Sequence, residues 1–307
     1  MEVQSILRMN IGDGEASYAC NSFLQEIAMW KALPVLKHTI KYSMANNGII
    51  FSPCLKIAEL GCSSSVNSLL VASTIIDMVH ELCEEFNQKT PQFELLLDRF
   101  TVDSFLNKAC TLFTPYTLFI GFLRSPKALK TTHLIYTCPN QVHQMLQGGC
   151  MVLTFVGRSI TDPTSDDCCI IWKLLAQSLH DMLKEGLIQE PDFNSFNMPY
   201  YNPCEDEVRN IIQNEGSFSL DMLNAFQLNW DPNDTDYSSM NDFDVPSHIH
   251  GENAAKALRA VMEPLLTSHF GNSIIDILFD KFKKRVALHL AMKKTRYYNI
   301  VISLSRK

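Results

Sequence analysis

Apolar residues along this chain occur either in short runs or at the three-to-four-residue spacing of a helix face. The run at 54–60, interrupted by Lys56 and Glu59, predicts a strand, and the runs at 93–97 and 150–156 predict buried parallel strands, because strands covered on both faces are largely apolar. A further run at 298–303 predicts a closing strand. Helical spacing predicts helices at 20–46, with Pro34 as a kink, and at 69–86, 169–186, 204–215, 252–268 and 273–292.

The remaining polar stretches are predicted to be loops. Residues 231–250 are acidic and punctuated by proline, which is typical of a surface loop. His248 and His250 in that stretch have a spacing that suits a metal, but no third ligand accompanies them, so solvated histidines are the favoured interpretation. The adjacent Cys168 and Cys169 are interpreted as buried structural residues.

A turn of small residues at 61–65 joins the first predicted strand to the helix that follows. Strand, tight turn and helix in that order open a nucleotide-binding α/β unit, and the pattern Glu-x-Gly-x-Ser-x-Ser over 59–65 has the layout of a methyltransferase glycine turn. Asp98, at the end of the second strand, is placed to accept hydrogen bonds from ribose hydroxyls. An ordinary strand-to-helix turn and an exposed strand-end Asp stay open as alternatives.

Composition narrows the class of protein. The chain has 307 residues, of which 46% are hydrophobic, which is enough for one large core. Its net charge of −7 argues against a nucleic-acid surface, since phosphate binding needs clustered Lys and Arg. Ten cysteines without a C-x-x-C pair favour reduced thiols. The first ten residues lack a long apolar region, and no apolar stretch is long enough for a bilayer, so we expect a soluble, cytoplasmic protein without a membrane partner.

Five separate blocks of sequence then point to one family. The blocks lie at 9–25, 57–67, 171–172, 194–201 and 259–271. Together they resemble the plant SABATH family of S-adenosylmethionine-dependent carboxyl methyltransferases, which includes salicylate, benzoate and jasmonate carboxyl methyltransferases and caffeine synthase. The resemblance covers 1–98 and 148–307. It implies an α/β fold with a mainly parallel, methyltransferase-like sheet and a helical cap.

The resemblance also implies a domain division and a set of site residues. Residues 1–193 would form the cofactor-binding core with an N-terminal segment that contacts substrate, and 194–307 the cap with a closing strand. Positions that match contacts to S-adenosylmethionine are Tyr18, Ser22, Glu59, Gly61, Cys62, Asn67 and Asp98. Positions that match contacts to the substrate are Gln25, Ile171, Trp172 and Tyr297, for which a surface Gln and ordinary core packing are the alternatives.

A magnesium site and a partner chain are implied in the same way. Phe196, through its carbonyl, and Asn197, through its amide oxygen, match metal ligands, and oxygen ligands suit magnesium. Asn194 replaces the acid that the family has there, which removes the charge from the site. Ser65 likewise adds a side chain where the family turn has glycine. Family members tend to pair, so a homodimer or a dimer with a paralogue is expected.

The segment 99–147 departs from the family. The family blocks that hold the adenine and wall the substrate are absent, and 104–149 contain no Asp or Glu where about five would be average. One possible choice of codons for 119–124, read in another frame, gives His-Trp-Leu-Ser-Gln, part of the missing block, so a local frameshift and a divergent segment that still folds are both open. The expected activity is methyl ester formation on a small carboxylic acid, salicylate or benzoate first and jasmonate second, impaired by this segment. A catalytically inactive paralogue that only dimerises, or a pseudogene product, is the alternative.

Overall fold

The computed structural model describes residues 14–44, 53–60, 66–98, 117–123, 149–198, 201–231, 233–234 and 246–307. No helix in these ranges has both the length and the apolar character needed to cross a membrane. The helices are α1 (Phe23–His38), α2 (Val66–Glu85), α3 (Asp166–Lys184), α4 (Glu190–Ser195), α5 (Glu205–Glu215), α6 (Ser247–Phe270) and α7 (Ile275–Met292). The strands are β1 (Cys54–Leu60), β2 (Gln92–Asp98), β3 (Thr117–Leu123), β4 (Cys150–Gly157), β5 (Phe218–Asn229) and β6 (Arg296–Arg306).

These elements fall into two compact units, each assembled from three segments of the chain. The first, called the helical unit, comprises 1–27, 162–199 and 227–297. The second, called the sheet unit, comprises 28–161, 200–226 and 298–307. The predicted domain boundary after residue 193 falls inside the helical unit.

The sheet has six strands among the described residues, in the order β2-β1-β3-β4-β6-β5. Strand β1 pairs in parallel with β2 and with β3, and β3 pairs in parallel with β4. Strand β6 is antiparallel to β4. The register of β1 and β2 places Lys56 opposite Glu94, and their side chains form an ion pair of 3.0 Å. Opposite charges at directly facing positions stabilise that register.

One apolar cluster in the sheet unit joins the sheet to α1 and α2. Leu55 and Ile57 of β1 are fully buried, whereas Lys56 between them is not, as expected where successive side chains point to opposite faces. Helix α2 contributes Ile75 and Val79, one turn apart on the same face. Strand β4 is buried along most of its length, which explains its unbroken apolar run.

A second apolar cluster fills the helical unit and is formed chiefly by α3, α6 and α7. Helices α6 and α7 approach closely at Gly251, where an added Cβ would lie 2.6 Å from the Cβ of Ala287 and 2.6 Å from the carbonyl oxygen of Lys283. Glycine is therefore required there by space. Helix α3 ends as predicted before Gly186, which has a φ of +72°.

The structure differs from the pattern-based prediction in several places. The pattern does not predict β3, which lies in the segment without family blocks. It also misses β5, because apolar residues alternate at Phe218, Leu220 and Met222 but the alternation slips at Leu223. The predicted loop 231–250 is wrong at its end, since residues from Ser247 onward form the first turn of α6. A helical cap stays a prediction.

Candidate active site

The sheet reverses its winding direction at β1. From β1 the chain passes through α2 to β2 on one side, whereas β3 is the neighbour on the other side. In open α/β sheets, ligands bind at such a switch point, outside the carboxyl ends of the strands. The predicted glycine turn at 61–65, with Gly61 and Cys62, follows β1 in the chain and lies outside the described residues.

The predicted cofactor acids lie at the same edge of the sheet. Asp98, the last residue of β2, pairs with Leu60, the last residue of β1, and Glu59 pairs with Leu97 one position earlier. Asn67 lies in the first turn of α2, directly after the turn. The topology therefore brings the backbone of these three predicted residues to one corner of the sheet unit.

Three predicted residues lie on the segment that enters α1. A 3-10 turn at Ala19–Asn21 is fixed by the side chain of Asn21, whose Nδ2 donates to two backbone carbonyls at 2.7 Å. Tyr18 and Ser22, which flank the turn, are both buried. The Oε1 atom of Gln25, in the first turn of α1, is buried and has no hydrogen-bond partner among the described residues.

The predicted substrate residues Ile171, Trp172 and Tyr297 belong to one apolar cluster in the helical unit. Ile171 is buried, and the indole of Trp172 and the ring of Tyr297 pack against the cluster while keeping partial exposure. The Tyr297 ring lies 6.1 Å from that of Trp230, which stacks in turn on His289 at 5.3 Å. Burial lowers the pKa of His289, so its ring is neutral at physiological pH.

The predicted metal segment is held against the end of α6. The Phe196 ring lies 5.1 Å from the ring of His269 and 5.0 Å from that of Phe270. His269 Nε2 donates to the Asp192 carbonyl oxygen at 2.8 Å. Asn194 and Asn197 are exposed. Within the described ranges, no group of three or more His, Cys, Asp or Glu residues is arranged to hold a metal ion.

A buried arginine at the end of β4 was not predicted from the sequence. The Arg158 guanidinium donates to the carbonyl oxygens of Asn202 and Thr161, the latter at 2.8 Å, and to Glu207 Oε1 at 2.8 Å. Tyr201 donates its hydroxyl to the same Glu207 oxygen at 2.5 Å. Burial acts to raise the pKa of Glu207, but the hydrogen bonds from Arg158 and Tyr201 outweigh it and lower the pKa.

This network fixes the loop that precedes α5. The Cys204 N–H donates to Glu207 Oε2 at 3.1 Å, which caps the helix, and the Arg158 N–H donates to the Pro203 carbonyl oxygen at 3.0 Å. Gly157 leaves room for this loop, because an added Cβ would lie 2.8 Å from that carbonyl oxygen. Since β1, β3 and β4 are parallel, the network lies at the carboxyl edge that carries the switch point. The sequence did not reveal this role of Arg158, because its partners Asn202 and Glu207 are distant in the chain.

A carboxylate and histidine pair in the helical unit was also missed. Asp231 is buried, and its Oδ2 lies 2.6 Å from His250 Nδ1 and 3.2 Å from Asn253 Nδ2. His250 thus has a carboxylate partner that sequence spacing alone does not reveal. Two side-chain oxygens of this unit, Ser165 Oγ and Thr267 Oγ1, are buried without a hydrogen-bond partner among the described residues.

A parallel-stranded core with a switch point at β1 and helices around it is the architecture of a methyltransferase-type α/β fold. The solved structure of loganic acid methyltransferase with SAH superposes on it with a TM-score of 0.72, covering 97% of this chain and 98% of that chain at 21% identity. The fold is therefore shared with that enzyme.

The particular family follows from the sequence match. The family model for SAM dependent carboxyl methyltransferases matches residues 4–114 and 140–307. The chain belongs to this family, whose cofactor is S-adenosylmethionine, and the resemblance inferred from the five blocks is confirmed. Within the segment 99–147, the match includes 99–114 and 140–147 and leaves out 115–139.

Two curated relatives match this chain over nearly its whole length and over nearly the whole of their own. "Probable jasmonic acid carboxyl methyltransferase 1" of Theobroma cacao is 31% identical, with 100% of both chains covered. "Salicylate/benzoate carboxyl methyltransferase" of Arabidopsis thaliana is 32% identical, with 98% of this chain and 93% of the relative covered. The first alignment runs over 384 residues, so about 77 of its positions have no residue from this 307-residue chain.

Proposed function

We propose that this protein forms methyl esters of small carboxylic acids, with S-adenosylmethionine as methyl donor, salicylate or benzoate as first-choice substrates and jasmonate as second. Family membership supports the reaction class. The names of the relatives from Arabidopsis thaliana and Theobroma cacao support these acids. The retained Gln25 and Trp172 favour a small aromatic acid, since an amide and an indole N–H both donate to a carboxylate beside an aromatic surface.

The observation that carries the proposal is the buried Oε1 atom of Gln25, which has no hydrogen-bond partner among the described residues. Leaving a buried polar atom without a hydrogen bond costs about 1–3 kcal/mol, so such an atom points to a ligand. Rotation of the terminal amide exchanges its oxygen and nitrogen positions, which lets Nε2 donate to a carboxylate. The residues around Gln25 also fit the cofactor, because Tyr18 and Ser22 are buried on the same turn.

The chemistry needs positioning more than acid or base catalysis. When bound, S-adenosylmethionine supplies an electrophilic methyl group. An ionised carboxylate is already a nucleophile, so Gln25 and Trp172 have to orient one of its oxygens and exclude water. Ile171 and Tyr297, which share the Trp172 cluster, suit the apolar wall of the acid. Asn194, Phe196 and Asn197 offer no charged oxygen, so these residues do not fit a tight magnesium site.

The proposal is tested by measuring ester formation with purified protein and isotopically labelled S-adenosylmethionine. Salicylate, benzoate and jasmonate are compared with benzyl alcohol, which has no carboxylate. We expect the aromatic acids to be methylated and the alcohol to be inert. A calorimetric titration should show binding of S-adenosylhomocysteine and none of NAD. Binding of NAD alone would overturn the function.

Substitutions at the two positioning residues separate recognition from packing. Gln25→Leu and Trp172→Ala should lower turnover of salicylate by about 100-fold while binding of S-adenosylhomocysteine persists. Gln213→Leu, at an exposed position of α5, is the matched control and should keep full activity. Unchanged turnover in both site variants would mean that Gln25 and Trp172 serve packing alone.

The segment 99–147 supports a second proposal, in which activity is reduced and the chain acts mainly as the partner of an intact paralogue. The observations that favour it are the alignment positions without a residue here and the unmatched stretch 115–139. Replacing the residues between Leu97 and Gly148 by a relative's segment should then raise ester formation, whereas Ser65→Gly alone should not. Full activity of the unaltered chain would exclude this second proposal.

A further inference from the structure

Two adjacent thiols lie side by side in the first turn of α3. The Sγ atoms of Cys168 and Cys169 are 3.5 Å apart. Both thiols donate to one acceptor, the Pro163 carbonyl oxygen, at 3.5 Å for Cys168 and 3.2 Å for Cys169. Both side chains are partly exposed, so a reagent reaches them from solvent. The interpretation of these residues as buried structural cysteines is therefore wrong.

The spacing suits a bridging atom better than a direct disulfide. A disulfide requires the sulfurs to approach to about 2.05 Å, and it usually joins Cα atoms at least 4.4 Å apart, more than the 3.8 Å between neighbouring residues. Consider one atom bonded to both sulfurs, with each bond about 2.3 Å long. For sulfurs 3.5 Å apart, the angle between these two bonds is about 100°. That angle fits a pyramidal centre with a lone pair.

The number of protein ligands at the two thiols also favours a pyramidal centre over zinc. Structural zinc takes four ligands from cysteine, histidine or carboxylate. Within the described ranges, no third residue of these types joins the two thiols to form a metal-binding group. A trivalent metalloid that carries one substituent of its own needs only two thiolates. We propose that Cys168 and Cys169 form a two-thiol site for trivalent arsenic.

Binding at this site is a ligand exchange without any change of oxidation state. With phenylarsine oxide, two As–S bonds form as the bonds from arsenic to oxygen break. The two thiol protons leave with that oxygen as one water molecule. Arsenic stays trivalent, and no oxidant or reductant is required.

The site has a consequence for the proposed reaction, and this part rests on the proposed function. Cys168 and Trp172 are four residues apart on α3, so their side chains share one helix face. A phenylarsenic group on the thiols therefore occupies space next to the proposed carboxylate donor. We expect salicylate turnover to fall when the site is filled and to return when the arsenic is removed.

The binding test does not depend on catalysis. Intact protein is treated with phenylarsine oxide in excess monothiol, and its mass is measured. We expect one phenylarsenic group per chain, released by a dithiol but not by the monothiol. Cys168→Ser and Cys169→Ser should each weaken binding about 100-fold or more, because the second bond is then lost. Cys20→Ser, at an exposed cysteine outside α3, is the matched control and should bind like the parent.

A second measurement guards against variants that fail to fold. In the parent protein, phenylarsine oxide should protect Cys168 and Cys169 from alkylation, which is read on the peptide that carries both. Protection of other cysteines instead, or a mass gain that persists in both serine variants, would overturn the site. If arsenic binds as expected but no acid is methylated under any condition, the site stands and the proposed function fails.

Discussion

One ion pair from each unit shows how burial changes the role of a charge. In the sheet unit, Arg158 is 1% exposed, and its guanidinium bonds two backbone carbonyls and Glu207. In the helical unit, the ion pairs between α7 and α3 stay near water, and Arg285 and Asp181 are 31% and 34% exposed. Surface pairs contribute little, whereas removing one partner of a buried pair is strongly destabilising.

The contrast shows where each unit is vulnerable. The carboxyl edge of the sheet, which carries the switch point, depends on one side chain that is hard to replace. The helical unit instead depends on apolar packing and on the close approach of α6 to α7 at Gly251. Substitutions can therefore separate the two kinds of dependence.

The largest expected effect is that of Arg158→Met. This change removes the Arg158 hydrogen bonds to Glu207 and to two backbone carbonyls, and should lower the free energy of unfolding by about 3 kcal/mol. The loss is at the low end for a buried pair because Glu207 is partly solvated and keeps its bonds from Tyr201 and Cys204. Arg209→Met on α5 is the control, since Arg209 is exposed and lies 4.0 Å from Glu205. Urea unfolding measures both variants. Equal stability of the two would contradict the contrast between the units.

The next effect is that of Gly251→Ala in the helical unit. The new Cβ would lie 2.6 Å from a backbone oxygen, so α6 and α7 have to separate, at a cost of about 1–3 kcal/mol. Gly14→Ala is the control, because nothing lies within 4 Å of its added Cβ. Thermal unfolding followed by circular dichroism distinguishes them. A stabilising effect at Gly251 would show that the helix contact is looser than described.

The pH dependence of stability sharpens the comparison. The pKa of Glu207 is lowered from 4.5 in the folded protein, so its contribution is present above that value and is lost as pH falls through the folded pKa. From about pH 5 to about pH 3, the parent should therefore lose stability faster than Glu207→Gln, which has no proton to take up there. Parallel stability curves for the two proteins would rule out this role of Glu207.

The smallest effect is expected for Arg285→Ala. Its pair with Asp181 is partly exposed, so the loss should be about 0.2–1 kcal/mol and should shrink as salt is added. The hydrogen bond from Arg285 lowers the pKa of Asp181, so the same change should raise that pKa, which NMR titration detects. A loss as large as that of Arg158→Met would remove the distinction between the units.

Elements with an unambiguous period were predictable from the sequence. The bounds of β1 and β4 follow from runs of mainly apolar residues that glycine or polar residues border. Helix α3 follows from the regular apolar spacing that continues up to Gly186. Strand β3 was not predicted, although it pairs on both sides with β1 and β4. Its hydrogen-bonding partners are distant in sequence, and a local pattern does not contain them.

The candidate site divides in the same way. Residues that match family motifs, such as Gln25 and Trp172, were identified by resemblance, and their roles stay proposals. The partners of Arg158 and His250 lie 49 and 19 residues away in the chain, so no spacing rule connects them. Long-range pairs of this kind are set by the fold and become visible only with it.

The position of β6 has a consequence for synthesis on the ribosome. Strand β6 lies between β4 and β5 in the sheet, yet β5 ends at Asn229, 77 residues before β6 ends at Arg306. Until residue 306 has left the exit tunnel, β5 has no neighbour to pair with and its backbone groups stay open to other chains. The nascent protein should therefore need protection by a chaperone until β6 has emerged from the ribosome.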